Sequence, residues 1–215
     1  MQRLSASRRA FLQAATSSYH ASLPGSPAAG LLEARGLLNT DVSPFRLGFV
    51  AEPLSGHEMY RGRLAIPYLR RFRDEWSVVS MRFRCVHIGK CECNAKYLST
   101  PGDDIWIYNT PMLLKETATI AITEGELDAV SATISGVPAV GIPGAEAWQP
   151  YFAGLFAGYD TVHVLADGDN AGMRFATTVA RDLSNAKIIQ AADGEDTNSE
   201  MVSHGREYIM SRVRP

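Results

Sequence analysis

Apolar and polar residues follow two different periods in the central part of the chain, between Thr119 and Gly172. The apolar runs Ile120–Ile122 and Val162–Leu165 are short and rich in β-branched residues, which is typical of buried strands. Each run ends in acidic and glycine residues and passes into a helical pattern. The pattern predicts two parallel strands, each followed by a helix, in an open α/β sheet.

Carboxylate side chains follow both of these predicted strands. Glu124 follows the first strand, Asp128 lies in the helix after it, and Asp167 and Asp169 follow the second strand. Because ligands bind outside the carboxyl ends of parallel strands, we expect Glu124, Asp167 and Asp169 to converge on one site. Clustered carboxylates repel one another unless a hard cation neutralises them, and their oxygens are preferred ligands of Mg²⁺ or Mn²⁺. The sequence therefore predicts metal-dependent phosphate chemistry.

The N-terminal region predicts further helices and a strand. Residues 1–22 have loose helical spacing, Ser26 and Pro27 would cap and start a second helix, and Asp41 or Ser43 could start a third. Leu47–Val50 reads as a strand. The C-terminal residues 199–215 predict one short amphipathic helix.

Length and hydropathy limit the class of protein. A chain of 215 residues, 46% of them hydrophobic, can form one large domain or two small ones. We expect no membrane contact and a cytoplasmic location, because no run approaches ~20 apolar residues and the N-terminus lacks a signal-peptide core.

Charge is unevenly distributed, although the net charge is only −2. Residues 1–100 hold 14 Lys and Arg against 7 Asp and Glu, whereas residues 101–215 hold 7 against 16. In the basic half, Val78, Val79, Met81 and Phe83 mark a strand. The two-residue period of a strand places Arg82 and Arg84 on one face, where their guanidinium groups suit successive phosphates. This half is suited to a polyanion and the other to a metal ion.

Cysteine and histidine cluster in one short segment of the basic half. Cys85, His87, Cys91 and Cys93 are the residue types of a zinc site, but their spacings are tighter than those of structural zinc knuckles. We expect thiols in a surface turn between two strands, with zinc binding as the alternative.

The acidic blocks resemble a known domain. EGELDA, GVPAVGIPGA and DGDNAG, in this order and at this separation, are similar to the Toprim domain shared by DnaG-type primases, topoisomerases and some nucleases. The resemblance implies a mainly parallel sheet flanked by helices over residues 117–200, followed by a helical tail over 201–215. It also implies that Glu124, Asp167 and Asp169 are catalytic. The block DGEDTN resembles the third acidic element of primases, which would make Asp196 a metal ligand beside Glu124, Asp128, Asp167 and Asp169.

The first half of the chain resembles the smaller, basic α+β subdomain that precedes Toprim in DnaG-type primases. The likeness is carried by four stretches, AAGLLEARGL, FRLGFV, RGRLAIPYL and AKYLSTPG. Together with the Toprim blocks the resemblance covers roughly residues 28–205, and we place the basic subdomain at residues 1–116. It implies contacts to template or nucleotide by basic and aromatic residues, namely Arg35, Arg63, Arg82 or Arg84, Lys96 and Tyr97. From the residues alone, a solvated charged face is the alternative.

Taken together, the resemblance implies a phage-like, stand-alone DNA primase core. Such an enzyme makes short RNA primers on single-stranded DNA from ribonucleoside triphosphates, works with Mg²⁺ or Mn²⁺, and partners a replicative helicase. A Toprim-type nuclease is the alternative, although it would not need RGRLAIP and KYLSTPG. A topoisomerase would need a separate tyrosine-bearing cleavage domain, and a non-catalytic Toprim module would ordinarily have lost its carboxylates. The resemblance also implies a location in the host cytoplasm.

Overall fold

The structure is a computed structural model that describes residues 4–38, 40–72, 75–87, 93 and 95–214. The chain divides into two compact units, Met1–Asp104 and Ile105–Pro215. Our sequence-based division fell later, at residue 116. The segment that follows residue 104 belongs to the second unit because Ile107 packs in its core and Tyr108 forms a β-bridge with Gly141.

The first unit combines two helices with an antiparallel sheet. Its elements are α1 (Ala6–Ala21), α2 (Pro27–Ala34), β1 (Gly48–Phe49), β2 (Leu64–Phe72), β3 (Glu75–Arg84) and β4 (Tyr97–Ser99), in the strand order β1-β2-β3-β4. The predicted start of α2 is confirmed, because the Ser26 side chain accepts a hydrogen bond from the Ala29 backbone N–H and Pro27 opens the helix. This cap satisfies one of the otherwise unpaired N–H groups of the first turn.

Two elements of the first unit are shorter than the sequence predicted. The expected third helix is a short 3-10 helix, Thr40–Phe45, with Pro44 inside it. Proline lacks the N–H that a longer α-helix would need at this position. The strand expected over residues 47–50 is reduced to the two residues of β1, which pair only with the start of β2.

The core of the first unit lies between α1 and the long β2–β3 hairpin. Leu12, Ala15 and Tyr19 of α1 pack against Met81 and Phe83 of β3. This packing anchors β3, which carries the basic side chains Arg82 and Arg84, against α1.

The second unit is an α/β domain, which confirms the predicted fold class. Its elements are β5 (Thr119–Thr123), α3 (Glu126–Ile134), β6 (Ala139–Gly141), β7 (Thr161–Ala166), α4 (Asn170–Asp182), β8 (Ala186–Gln190), α5 (Thr197–His204) and α6 (Arg206–Arg212). All neighbouring strands run parallel, in the order β6-β5-β7-β8. The chain therefore moves from β5 to one side for β6 and returns to the other side for β7.

Apolar residues of β5 and β7 form the centre of the second core. Val162 and Val164 pack with Phe175 and Val179 of α4. The C-terminal segment forms two helices rather than the predicted one, because Gly205 has a φ of 87° that ends α5. Across the described residues we find no helix with the length and apolar character that crossing a membrane requires.

Candidate functional site

Glu124 and Asp167 leave the sheet side by side. Thr123 at the end of β5 pairs in register with Leu165 near the end of β7, and each carboxylate follows its strand closely. Because the strand order reverses between these two strands, their carboxyl ends border the crevice where ligands bind in α/β folds. The fold therefore brings the two predicted residues to the same edge of the sheet.

The Glu124 carboxyl lies in an unfavourable environment for negative charge. Burial raises its pKa above the usual range, and repulsion from Asp169 and Asp128 raises it further, whereas the cation of Arg174 opposes the rise. Its Oε2 atom is buried and accepts no hydrogen bond from the described part of the chain. A cation placed at this oxygen would relieve both the repulsion and the missing contact.

The turn after β5 places Asp128 beside Glu124. A Cβ atom at Gly125 would lie 2.5 Å from Oδ2 of Asp128, so a larger residue at position 125 would displace that carboxylate. The other oxygen, Oδ1, accepts a hydrogen bond from the Asn198 backbone N–H at 3.2 Å. Asp128 is thus fixed between the first acidic turn and the start of α5.

The loop from Asp167 to Asp169 is tied to the third acidic loop. Gly168 donates its N–H to the Glu195 carbonyl at 2.8 Å and accepts from the Gly194 N–H at 3.0 Å. A Cβ at Gly168 would lie only 1.7 Å from the Ala192 carbonyl oxygen, so no other residue permits this approach. The second and third acidic blocks are therefore neighbours in space as well as in sequence.

Two of the predicted metal ligands also cap helices. Oδ1 of Asp169 accepts a hydrogen bond from the Gly172 N–H at 2.7 Å at the start of α4. Oδ1 of Asp196 accepts one from the Ser199 N–H at 2.7 Å at the start of α5. Each cap stabilises its helix and orients the carboxylate at the same time.

Asn198, near the start of α5, has a structural contact. It is buried, and its side-chain nitrogen donates to Ser131 Oγ on α3 at 2.9 Å. This bond joins α5 to α3. The side-chain nitrogen of Asn198 is therefore engaged in packing the domain.

The carboxylates are adjacent but are not gathered around a single point. Within the part of the chain that the structure describes, no three Asp, Glu, His or Cys side chains lie close enough to hold one ion together. The buried Oε2 of Glu124 and the set of carboxylate oxygens nevertheless fit a divalent cation.

Two features of this site escaped the sequence reasoning. Arg174 is exposed on α4 and acts electrostatically on Glu124. Its position five residues after Asp169, in the first turns of the helix, was the available signal. The second feature is an ion pair between the buried Glu200 and the half-buried Arg212, in which Glu200 also accepts a hydrogen bond from the Ala192 N–H at 3.1 Å. This pair supports the third acidic loop.

The predicted nucleic-acid residues meet in part on β3 and β4. Tyr97 pairs across the sheet with Arg84, and the guanidinium carbons of Arg82 and Arg84 lie 4.8 and 5.7 Å from its ring centre. Arg63 donates to the Ala95 carbonyl at 3.0 Å, beside this group. The three side chains of Arg82, Arg84 and Tyr97 form one cationic and aromatic cluster.

The members of that group differ in exposure. Arg84 is only 4% exposed and donates to the Cys85 carbonyl, so its charge is largely enclosed. Arg82 is half-buried and Lys96 is exposed. Arg35 lies on a different element, at the C-terminal cap of α2.

The expected surface turn of cysteines is partly buried. Cys85 is buried next to the cluster, and its Sγ lies 3.0 Å from Nδ1 of His87. Cys93 is disulfide-bonded, so the expectation of a free thiol is wrong for this residue, and its Sγ lies 3.3 Å from the Ala95 carbonyl oxygen. Cys91 lies outside the described residues, so the zinc alternative stays a prediction.

Comparison with known proteins identifies the family. Residues 121–201 match the family described as Toprim-like. The Gene 57 protein of Mycobacterium phage D29 is 48% identical over 157 residues, which span 72% of this chain and 100% of the phage protein. The chain belongs to the family of this phage protein. Its second half carries the Toprim-like domain that the acidic blocks predicted.

Solved structures show the same fold over nearly the whole chain. The RNA polymerase domain of Mycobacterium tuberculosis primase DnaG superimposes with a TM-score of 0.78 at 21% identity, over 97% of this chain and 83% of that domain. The E. coli primase catalytic core gives 0.69 at 21% identity, over 94% and 79%. A DnaG catalytic domain bound to single-stranded DNA gives 0.72 at 21% identity, over 94% and 79%. The chain has the fold of a DnaG primase catalytic core.

Proposed function

We propose that this protein is a DNA primase that copies single-stranded DNA into short RNA primers from ribonucleoside triphosphates. The observation that carries the proposal is the placement of Glu124 beside Asp167 at the strand reversal of a DnaG-like fold. A basic unit in the same chain adds the means to hold a polyanion. The match to the E. coli primase catalytic core covers 94% of this chain and therefore extends over both units.

The carboxylates would hold Mg²⁺ or Mn²⁺. The proposed ligands are the acidic residues of the three blocks, namely Glu124, Asp128, Asp167, Asp169 and Asp196. A bound divalent ion lowers the energy of the negative charge that develops on a transferred phosphoryl group. Glu124, Asp167 and Asp169 orient the reacting groups, and the helix caps at Asp169 and Asp196 hold two of these side chains in place.

The basic unit would bind the template. One of the similar structures is bound to single-stranded DNA, and another DnaG domain is bound to double-stranded DNA. In this chain, Arg82 and the exposed Lys96 are the best placed to contact phosphates, with Tyr97 beside them. Arg84 is largely enclosed, so we propose that it shapes the surface by stacking on Tyr97. Arg35 and Arg63 stay candidates for nucleotide or template contact.

A replicative helicase would bring the protein to its template in the host cytoplasm. Tethering raises the effective concentration of template without altering the chemical step. Adding the helicase of the same source should therefore raise primer yield at low template concentration and leave it unchanged at saturating template. A higher yield at saturation would contradict a purely tethering role.

The test is primer synthesis on single-stranded templates with labelled ribonucleotides and Mg²⁺ or Mn²⁺. Labelled RNA chains are the expected product. Nicked template without RNA would instead support the Toprim-type nuclease, which uses the same carboxylates. Because both activities depend on the acidic site, an Asp167→Asn variant serves as the negative control for each.

A further inference from the structure

One tryptophan of the basic unit is exposed, in contrast to the others. The chain has three tryptophans; Trp106 and Trp148 are 8% and 6% exposed, whereas Trp76 is 48% exposed. The core therefore does not account for the Trp76 ring, which offers apolar and aromatic surface to solvent.

A cation accompanies this exposed ring. Arg71 on β2 stands directly opposite Trp76 on β3, and its guanidinium carbon lies 5.8 Å from the ring centre. The next pair inward on the same face is Leu69 with Val78, and Val78 is buried in the core of the unit. Trp76 and Arg71 are thus presented by a hairpin whose base is anchored in a packed core.

The same strand carries the proposed phosphate contacts. Arg82 lies six residues after Trp76 on β3, which corresponds to about 20 Å at the rise of a β-strand. Because the register shifts between the Tyr68–Ser80 and Leu69–Val78 pairs, the two side chains lie on opposite faces of the strand. Stacking platforms next to basic side chains are the usual way in which proteins hold single-stranded nucleic acid without reading its sequence. A duplex does not offer its base faces to such a ring.

We propose that Trp76, with Arg71 beside it, is a stacking site for a base of single-stranded DNA. The indole ring stacks on the base and the guanidinium group neutralises a neighbouring phosphate. This inference rests on the proposed template binding and adds a contact at the far end of β3 from Arg82. Because the contact uses the face of any base, it raises affinity without sequence preference.

Intrinsic fluorescence tests the site directly. Trp76 is the exposed tryptophan, so a single-stranded homopolymer should quench emission from the wild-type protein, and a duplex of equal length should not. The quenching should disappear in Trp76→Phe, which leaves only the two buried tryptophans. Equal quenching in wild type and Trp76→Phe would overturn the proposal.

Affinities of the full chain for single-stranded DNA distinguish base stacking on Trp76 from non-specific contact with exposed apolar surface. Trp76→Phe keeps a ring and should bind within a few-fold of wild type, whereas Trp76→Leu should bind single strands about tenfold more weakly. Tyr151→Leu removes a ring that is 71% exposed in the other unit and should have no effect. The stacking site is wrong if Trp76→Leu binds single strands as tightly as wild type, or if Tyr151→Leu loses as much affinity as Trp76→Leu. The proposed template surface would stand if an Arg82→Ala/Lys96→Ala variant still lost affinity.

Discussion

At Glu124, burial and the negative charges of neighbouring aspartates both disfavour the ionised carboxylate. Its carboxyl is partly buried, faces two other carboxylates and keeps an oxygen without a hydrogen bond in the described chain. A buried carboxylate without a hydrogen bond or a neighbouring cation destabilises the folded protein. Such groups occur at functional sites, where a bound ligand offsets the cost. Helix caps orient Asp169 and Asp196, and a backbone N–H holds Asp128.

At the residue scale, we predict that Asp167→Asn and Asp169→Asn each lower primer synthesis by at least about 100-fold. The amide is isosteric but neutral, so the affinity for the cation falls. Asparagine caps helices as well as aspartate does, so the start of α4 should be kept. Synthesis rates at saturating Mg²⁺ and thermal unfolding midpoints measure the two effects.

The matched control for these variants is Asp193→Asn. Asp193 is exposed in the third acidic loop and is not among the proposed ligands, yet its substitution removes the same charge. It should retain synthesis near the wild-type level. A loss as large as that of Asp167→Asn would mean that overall charge, rather than a defined ligand set, controls activity.

At the element scale, the strands and their acidic turns could be predicted from sequence, whereas several contacts could not. The short apolar runs fixed β5 and β7, and their parallel pairing brought Glu124 to Asp167. The two-residue period put Arg82 and Arg84 together but could not show that Arg84 is enclosed, because enclosure depends on what packs over the strand. The Glu200–Arg212 pair joins separate helices and has no local signal.

That ion pair leads to a prediction about α5 and α6. Arg212→Met leaves the buried Glu200 carboxylate without its cation, so the free energy of unfolding should fall by about 3 kcal/mol. Adding Glu200→Leu should recover much of the loss, because two apolar side chains replace the pair. Recovery should be incomplete, since the Ala192 N–H also loses its acceptor. Denaturant unfolding of both single variants and the double variant measures the coupling between Glu200 and Arg212. If the two single losses of unfolding free energy simply add in the double variant, the prediction is wrong.

Strand β7 leads to a second prediction at this scale, through His163. Its ring is buried, and both ring nitrogens lack hydrogen bonds within the described residues. Burial lowers the pKa of the imidazole, and the positive charge of Lys187 lowers it further. The unfolded chain takes up a proton below about pH 6.5 that the folded histidine rejects. Stability is therefore fully present above pH 6.5 and is lost as pH falls through the lowered, folded-state pKa.

Between pH 7 and 5.5, the free energy of unfolding should fall less in His163→Leu than in wild type, because leucine takes up no proton. Urea titrations at several pH values measure this difference. The control is His204→Ala, which removes an exposed histidine of α5 and should keep the wild-type slope. If His163→Leu has the same pH dependence as wild type, the buried imidazole does not control acid stability.

At the scale of the whole molecule, charge is divided between the two units. Residues 1–104 carry an excess of five cationic side chains, 14 against 9 acidic ones, whereas residues 105–215 carry an excess of seven acidic ones, 14 against 7. A net charge near zero therefore conceals one surface for a polyanion and one for a cation. Sequence counts alone predicted this division, and the structure adds that Arg82 and Tyr97 concentrate part of the basic character in one cluster.

The division of charge predicts how binding depends on salt. Each phosphate contact to single-stranded DNA contributes about 0.7 to the slope of log affinity against log salt. Arg82→Ala/Lys96→Ala should therefore reduce the slope by about 1.4, with weaker binding at low salt. Arg181→Ala/Lys187→Ala removes two exposed cations from the acidic unit and makes the same change in net charge. This control should leave the slope unchanged, because its cations do not contact template. Equal slopes for the two double variants would show that net charge alone governs binding and would remove the basic cluster as the template surface.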